Sequence, residues 1–230
     1  MAVAKRKTKK ANTGGWKFSI VESLNYGFAK TKKFFWITLG IFILIEVILK
    51  GIINGVSGSE TLGSLFGDAA GLWFLVAGLF SMYVSIMISI GWLKMFLAVL
   101  AGKAPALAYF MDINDSHKYF WSYIFASILL GLIVFGGFIL LIIPGFVWAL
   151  TYGLAPILVI DKKLSPPKAL AMSRKLMTGQ RLNLFVWGLA MFGIHIVGML
   201  CFVIGLIFTI PLSYYAYAYV YAKLAGKPIK

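Results

Sequence analysis

Long apolar runs divide this sequence, and the breaks between them alternate between clusters of Lys and Arg and stretches with almost none. That alternation constrains the fold more than any other feature. A soluble domain has no use for it, whereas a membrane protein gathers its Lys and Arg in the loops on the cytoplasmic side. Composition points the same way: 61% of the 230 residues are hydrophobic and 13% are charged, against about 25% charged in soluble domains. A globule of this size has too little interior to hide so much apolar surface. The formal net charge of +15 sits at segment ends, where it marks topology beside anionic lipid and disfavours nucleic acid as a partner.

The expected fold is all-α, a polytopic bundle of six transmembrane helices in three hairpins, with amphipathic interfacial helices on the cytoplasmic side. The spans are read at about 34–53, 70–100, 119–143, 145–160, 182–204 and 206–224. Residues 1–15 read as a disordered basic tail and 16–230 as a single domain. Residues 54–69 read as a loop without Lys or Arg. The apolar stretch Tyr119–Ile160 is too long for one helix at about 1.5 Å per residue, so Ile143-Pro144-Gly145 is expected to turn it back. Gly153 and Pro156 predict a kink in the returning arm, and a last fold-back is expected near Gly205 to Pro211. With these breaks, the N-terminus, Lys103–Lys118, Asp161–Arg181 and the C-terminus share one side, so both termini are expected in the cytoplasm.

The basic segments look like three copies of one module, a short amphipathic helix leading through a basic residue and an aromatic doorway into a hairpin. In the first, Ser19 and Glu22 have capping-box spacing, Ile20, Val21, Leu24 and Phe28 share a face, and Lys33-Phe34-Phe35-Trp36 is the doorway. The second carries Leu107, Phe110 and Met111 and enters at Lys118-Tyr119-Phe120-Trp121. In the third, Ser165 caps, Pro166 starts the helix, Ala169, Leu170, Ser173, Leu176 and Met177 share a face, and Gly179 stops it. Leu100-Ala101-Gly102-Lys103 and Leu224-Ala225-Gly226-Lys227 close hairpins one and three alike. Such helices are expected in the headgroup plane, apolar face down, forming a basic collar.

Ile143-Pro144-Gly145, Leu154-Ala155-Pro156, Ile160-Asp161 and the run from Ser165 through Ala169-Leu170, Ser173 and Gly179 together carry a family resemblance. This part resembles the membrane domain fused to some bacterial glycerophosphodiester phosphodiesterases, and related stand-alone prokaryotic membrane proteins. The resemblance implies a six-helix protein of a prokaryotic plasma membrane. Its catalytic barrel is not expected within these residues, where seven acidic residues and two His are scattered, so phosphodiesterase activity is not carried over.

Two sets of residues stand out as candidate sites. Glu46, Lys50 and Asn54, spaced i, i+4, i+8, lie on one face of the first span. Glu46 is about 18 Å from Phe34, deep enough that a carboxylate there needs a partner or marks an ion or proton site. Lys50 can supply that partner, and both readings stay open. His195, midway along the fifth span, reads mainly as an interhelical hydrogen-bonder, with an approach to Glu46 as the alternative. The other set is basic: Lys168, Arg174, Lys175 and Arg181, candidates for contact with anionic lipid or a partner. Cys201, the single cysteine, reads as a small buried hydrophobe.

No phosphate loop, metal-ligand spacing or nucleophile elbow is present, so neither an enzyme nor a cofactor is expected. The leading expectation is a non-enzymatic membrane protein that organises anionic lipid or holds a membrane partner, or a second copy of itself, through the collar. Its rival is a small-solute or ion transporter or channel subunit that uses the polar face at Glu46.

Overall fold

The computed structural model describes residues 17–58, 60–65, 67–200 and 204–229; the N-terminal tail and Cys201 lie outside them. Helix α1 (Ile20–Phe42) continues through a π-helical stretch (Ile43–Leu49) into α2 (Lys50–Ser57). A single-turn helix α3 (Glu60–Ser64) and a 3-10 turn (Gly67–Ala69) lead into α4 (Ala70–Leu100). After α5 (Ala108–Met111) come α6 (Ile113–Leu140), α7 (Ile142–Tyr152), α8 (Ala155–Lys162), α9 (Pro166–Met177), α10 (Arg181–Leu200) and α11 (Ile204–Ala225). The described residues contain helices and no strand. Five stretches are long and apolar enough to cross a membrane: Ile20–Val56, Ala70–Leu100, Ser116–Leu140, Ile143–Lys162 and Arg181–Leu200. Large apolar side chains such as Trp36, Leu75, Phe135 and Leu189 face outward, which suits a lipid solvent.

Several boundaries differ from the sequence reading. The chain turns at Leu141, whose backbone is extended (φ −169°, ψ 152°), and not at residues 143–145. Pro144 falls in the first turn of α7, where its missing N–H leaves no helical bond unmade. Gly145 serves the close approach of the two arms, because a Cβ on Gly137 would lie 2.9 Å from its Cα. Pro211 lies inside α11 and does not mark a fold-back. Asn54 belongs to α2, so the expected loop begins later. The kink at Gly153 is present as the break between α7 and α8, with Pro156 in the first turn of α8.

Helix α1 buries a different face from the one expected. Val21 and Phe28 are 64% and 53% exposed, while Ser23, Gly27 and Thr31 are buried. These small residues at four-residue spacing let α1 pack tightly on α11, where a Cβ on Gly27 would meet the Leu212 carbonyl oxygen at 2.8 Å. The amphipathic stretch and the span form one helix bent at Phe34 (φ −112°, ψ 15°), at the predicted doorway.

The later part of helix α11 is largely enclosed by protein, with Leu212, Tyr215, Ala216, Ala218, Val220, Tyr221 and Ala222 buried, while Ile207 and Tyr214 are exposed. Its tyrosines, serine and proline make it less apolar than the five stretches above, which a helix shielded from lipid tolerates.

The three basic segments are not alike. Helix α5 is a single turn that sets Phe110 against Gly91 and the edge of Trp92. The apolar face expected to lie in lipid on α9 is packed inside the protein: Ala169, Leu170, Ser173, Leu176 and Met177 are all buried. Ser165 occupies its N-cap position but its side chain makes no capping hydrogen bond, and Gly179 (φ 74°) stops the helix. The similar endings do fold alike. Lys103 N–H bonds the Ala98 carbonyl oxygen and Lys227 N–H that of Ala222, with Gly102 and Gly226 at positive φ, so both helices close in Schellman motifs.

The described residues from Lys17 onward, the segments 103–118 and 161–181 and the C-terminal residues meet at one end of the bundle, called here the basic end. Lys17 N–H donates to Gln180 Oε1 (2.8 Å), Asn183 Nδ2 to the Phe18 carbonyl (3.0 Å) and Trp187 Nε1 to Ser23 Oγ (2.9 Å). Ser19 caps α1 through Glu22 N–H, but the Glu22 carboxylate accepts from the Tyr219 hydroxyl (2.9 Å) instead of closing the capping box. Asp161 accepts from the Tyr221 hydroxyl and pairs with Lys227. Lys94 donates to Ser116 Oγ (2.9 Å) and pairs with Asp112.

Candidate intramembrane site

A cavity of about 480 Å³ opens inside the bundle between α1–α2, α4, α6, α8 and α11. Two interruptions of helical geometry and a proline within a continuous helix converge on it. The π-helical stretch supplies Glu46 and, at its end, Lys50, whose N–H reaches back to the Ile45 carbonyl. The α7–α8 break supplies Gly153, Pro156 and Ile157, and α11 supplies Pro211 and its neighbour Ile210. Irregular backbone at membrane depth is tolerated where it lines a cavity or is re-satisfied by side chains. Both conditions hold at the α7–α8 break. Ser173 Oγ donates to the Thr151 carbonyl (2.8 Å), and the Tyr217 hydroxyl to that of Gly153 (3.3 Å).

The charged wall comes from the first span. Lys50 Nζ lies 2.6 Å from Glu46 Oε2, and Trp92 Nε1 donates to Glu46 Oε1 at 2.7 Å. Both carboxylate oxygens are therefore held, one by a charge and one by a neutral donor. The Lys50 and Glu46 side chains keep 28% and 22% of their surface accessible. The adjoining wall is aromatic: Trp92, Phe96 and Tyr214 stack with planes within 15° of one another. Hydroxyls of Thr38, Ser89, Tyr123 and Tyr217 complete the lining. Thr38 shares a 2.7 Å hydrogen bond with buried Tyr215, tying α1 to α11 on the basic side of the cavity.

The predicted polar face is divided. Glu46 and Lys50 turn into the cavity, while Asn54 accepts from Ser81 Oγ at 2.9 Å. The wider winding of the π-helical stretch breaks the even spacing that the sequence suggested. His195 does not line this cavity; its Nδ1 lies 2.8 Å from the Met191 carbonyl one turn back on its own helix. Lys168, Arg174, Lys175 and Arg181 are exposed around α9 and the start of α10. Among the described residues, no group of three or more His, Cys, Asp or Glu is placed to hold a metal ion.

A second cleft of about 480 Å³ between α10 and α11 is walled by apolar and glycine residues and Thr209, so charge distinguishes the Glu46 cavity. Trp92, Phe96 and Tyr123 were not singled out from the sequence. Trp92 carried a signal nonetheless, because a tryptophan well inside a span lies away from the interfacial belt that the residue prefers. Comparison of the chain with protein-family models, curated proteins and solved structures finds no match.

Proposed function

We propose that this chain is a six-span membrane protein that takes a small polar solute into the Glu46 cavity and carries it across the bilayer. Helix α11 is the sixth span, and the basic end faces the cytoplasm of a prokaryotic cell. One observation carries the reading: a carboxylate and an ammonium open on a cavity of about 480 Å³ within a bundle whose helices are apolar enough to span. A pair kept only for structure would be packed dry, because unfilled space beside charges in a low-dielectric interior gives no compensation. Interrupted helices around a central site are also how membrane carriers present polar groups at mid-depth. Three residues from the stretch that carries the sequence resemblance do architectural work here: Gly145 serves the close approach, Pro156 the helix start and Gly179 the helix stop.

The test is uptake into proteoliposomes from a pool of small metabolites, read by mass spectrometry. The expected result is a species enriched by the native protein over empty vesicles and lost in Glu46→Gln. No species above the empty-vesicle level would overturn the reading.

The collar remains a second reading, favoured by the exposure of Lys168, Arg174, Lys175 and Arg181 at the basic end. Replacing Lys168, Arg174 and Lys175 with Gln is expected to weaken retention of anionic lipid; unchanged retention would count against it.

A further inference from the structure

We propose that the solute is a zwitterion, a compact molecule with one ammonium, one anionic oxygen group and an apolar or aromatic portion. The inference rests on the cavity reading above and narrows it to a substrate class. Its basis is the charge balance of the site. Among the described residues, the charged groups lining the cavity are Glu46 and Lys50, one negative and one positive. Both side chains are largely buried, so leaving either charge without a counter-charge is costly even beside a solvent-accessible cavity. A simple cation that takes Glu46 leaves Lys50 without a counter-charge, and a simple anion that takes Lys50 does the same to Glu46. A zwitterion replaces the one resident ion pair with two, ammonium to Glu46 and anionic group to Lys50. No charge is left alone.

The geometry suits that exchange. Trp92 holds Glu46 Oε1 independently of Lys50, so the carboxylate keeps its orientation when Lys50 moves. Lys50 is the mobile partner, with a flexible four-carbon stem, three donors and a partly accessible side chain. The Trp92, Phe96 and Tyr214 stack offers a flat apolar surface beside the pair, where a ring or alkyl portion would lie. The shared chemistry has two sources, a free amino acid or a zwitterionic lipid headgroup, and the cavity volume accommodates either.

The test uses the full chain in nanodiscs of phosphatidylglycerol, which supply no zwitterion. Three probes share one ring and differ in charge: phenylalanine, phenethylamine and 3-phenylpropionate, titrated by calorimetry. The expected result is phenylalanine binding at least about tenfold tighter than either singly charged probe. The preference is expected to shift to phenethylamine in Lys50→Gln and to 3-phenylpropionate in Glu46→Gln, a switch that a misfolded variant would not produce. If no probe binds, the lipid arm decides. Phosphatidylethanolamine retained by the native protein in a native mass spectrum, and lost in Glu46→Gln, supports the inference with a headgroup as the source. Equal or tighter binding of a singly charged probe by the native protein overturns the zwitterion inference and leaves the cavity reading standing. Absence of binding by all three probes and by phosphatidylethanolamine overturns both.

Discussion

The two ends of the bundle are held by different physics. At the basic end the polar contacts link three groups of helices, residues 17–100, 113–162 and 181–229, to one another. Ser23 and Phe18 of the first group bond Trp187 and Asn183 of the third, and Asp161 of the second bonds Tyr221 and Lys227 of the third. Lys94 of the first meets Ser116 of the second. At the opposite end the contacts described stay inside a group: Gly137 against Gly145, Gly198 against Gly205, and Asn54 with Ser81. Polar side chains join the groups at the basic end, and two glycine contacts and one hydrogen bond close them at the other. The cavity lies beside the last of the bonds between groups, Thr38 with Tyr215 and Tyr217 with Gly153, where the bundle passes from one regime to the other.

This contrast can be broken at either end. The largest effect is expected from Asp161→Ala, which leaves the Tyr221 hydroxyl and Lys227 without their shared carboxylate. Loss of one partner of a largely buried pair costs about 3 kcal/mol, with faster amide exchange in all three groups of helices, read by denaturant unfolding in detergent with hydrogen exchange. A loss confined to α11 would show that the tie does not hold the groups together. Next is Gly205→Ala, whose methyl would meet the Gly198 backbone at 2.4 Å. Backbone cannot yield as a side chain does, so about 1–3 kcal/mol is expected, with exchange confined to α10 and α11. Gly193→Ala, where nothing lies within 4 Å of the added Cβ, is the control and should be neutral or slightly stabilising. The smallest destabilisation is expected from Asn54→Ala, about 0.6 kcal/mol for a hydrogen bond between membrane helices. A cost as large as that of Asp161→Ala would erase the distinction between the ends.

Local chemistry made much of this legible in the sequence. Helix α4 runs from Ala70 to Leu100 as the apolar run suggested, and α9 starts and stops as Pro166 and Gly179 require, its apolar face as spaced but packed on protein and not on lipid. The kink at Gly153 and Pro156 and the two matching glycine caps were equally local. What escaped depends on packing. No residue within Ile43–Leu49 announces a π-helical stretch, and Ser23, Gly27 and Thr31 identify a contact face only once α11 lies against them. The turn at Leu141 was misread because Pro144 suits the first turn of a helix as well as a break. Of the site, Glu46 and Lys50 were evident as costly intramembrane charges, while Trp92, Phe96 and Tyr214 became part of it only through the meeting of α4 and α11.

The central claim is that aqueous solutes reach a cavity beside Glu46. Its most direct test is thiol labelling, with Cys201 first replaced by Ala and one cysteine then placed at Ser89, which lines the cavity, or at Ser173, which is fully buried. A small charged methanethiosulfonate reagent added to protein in nanodiscs should modify Ser89→Cys readily and leave Ser173→Cys intact. If Ser89→Cys is as inert as Ser173→Cys, the interior is dry at that depth and the account is contradicted.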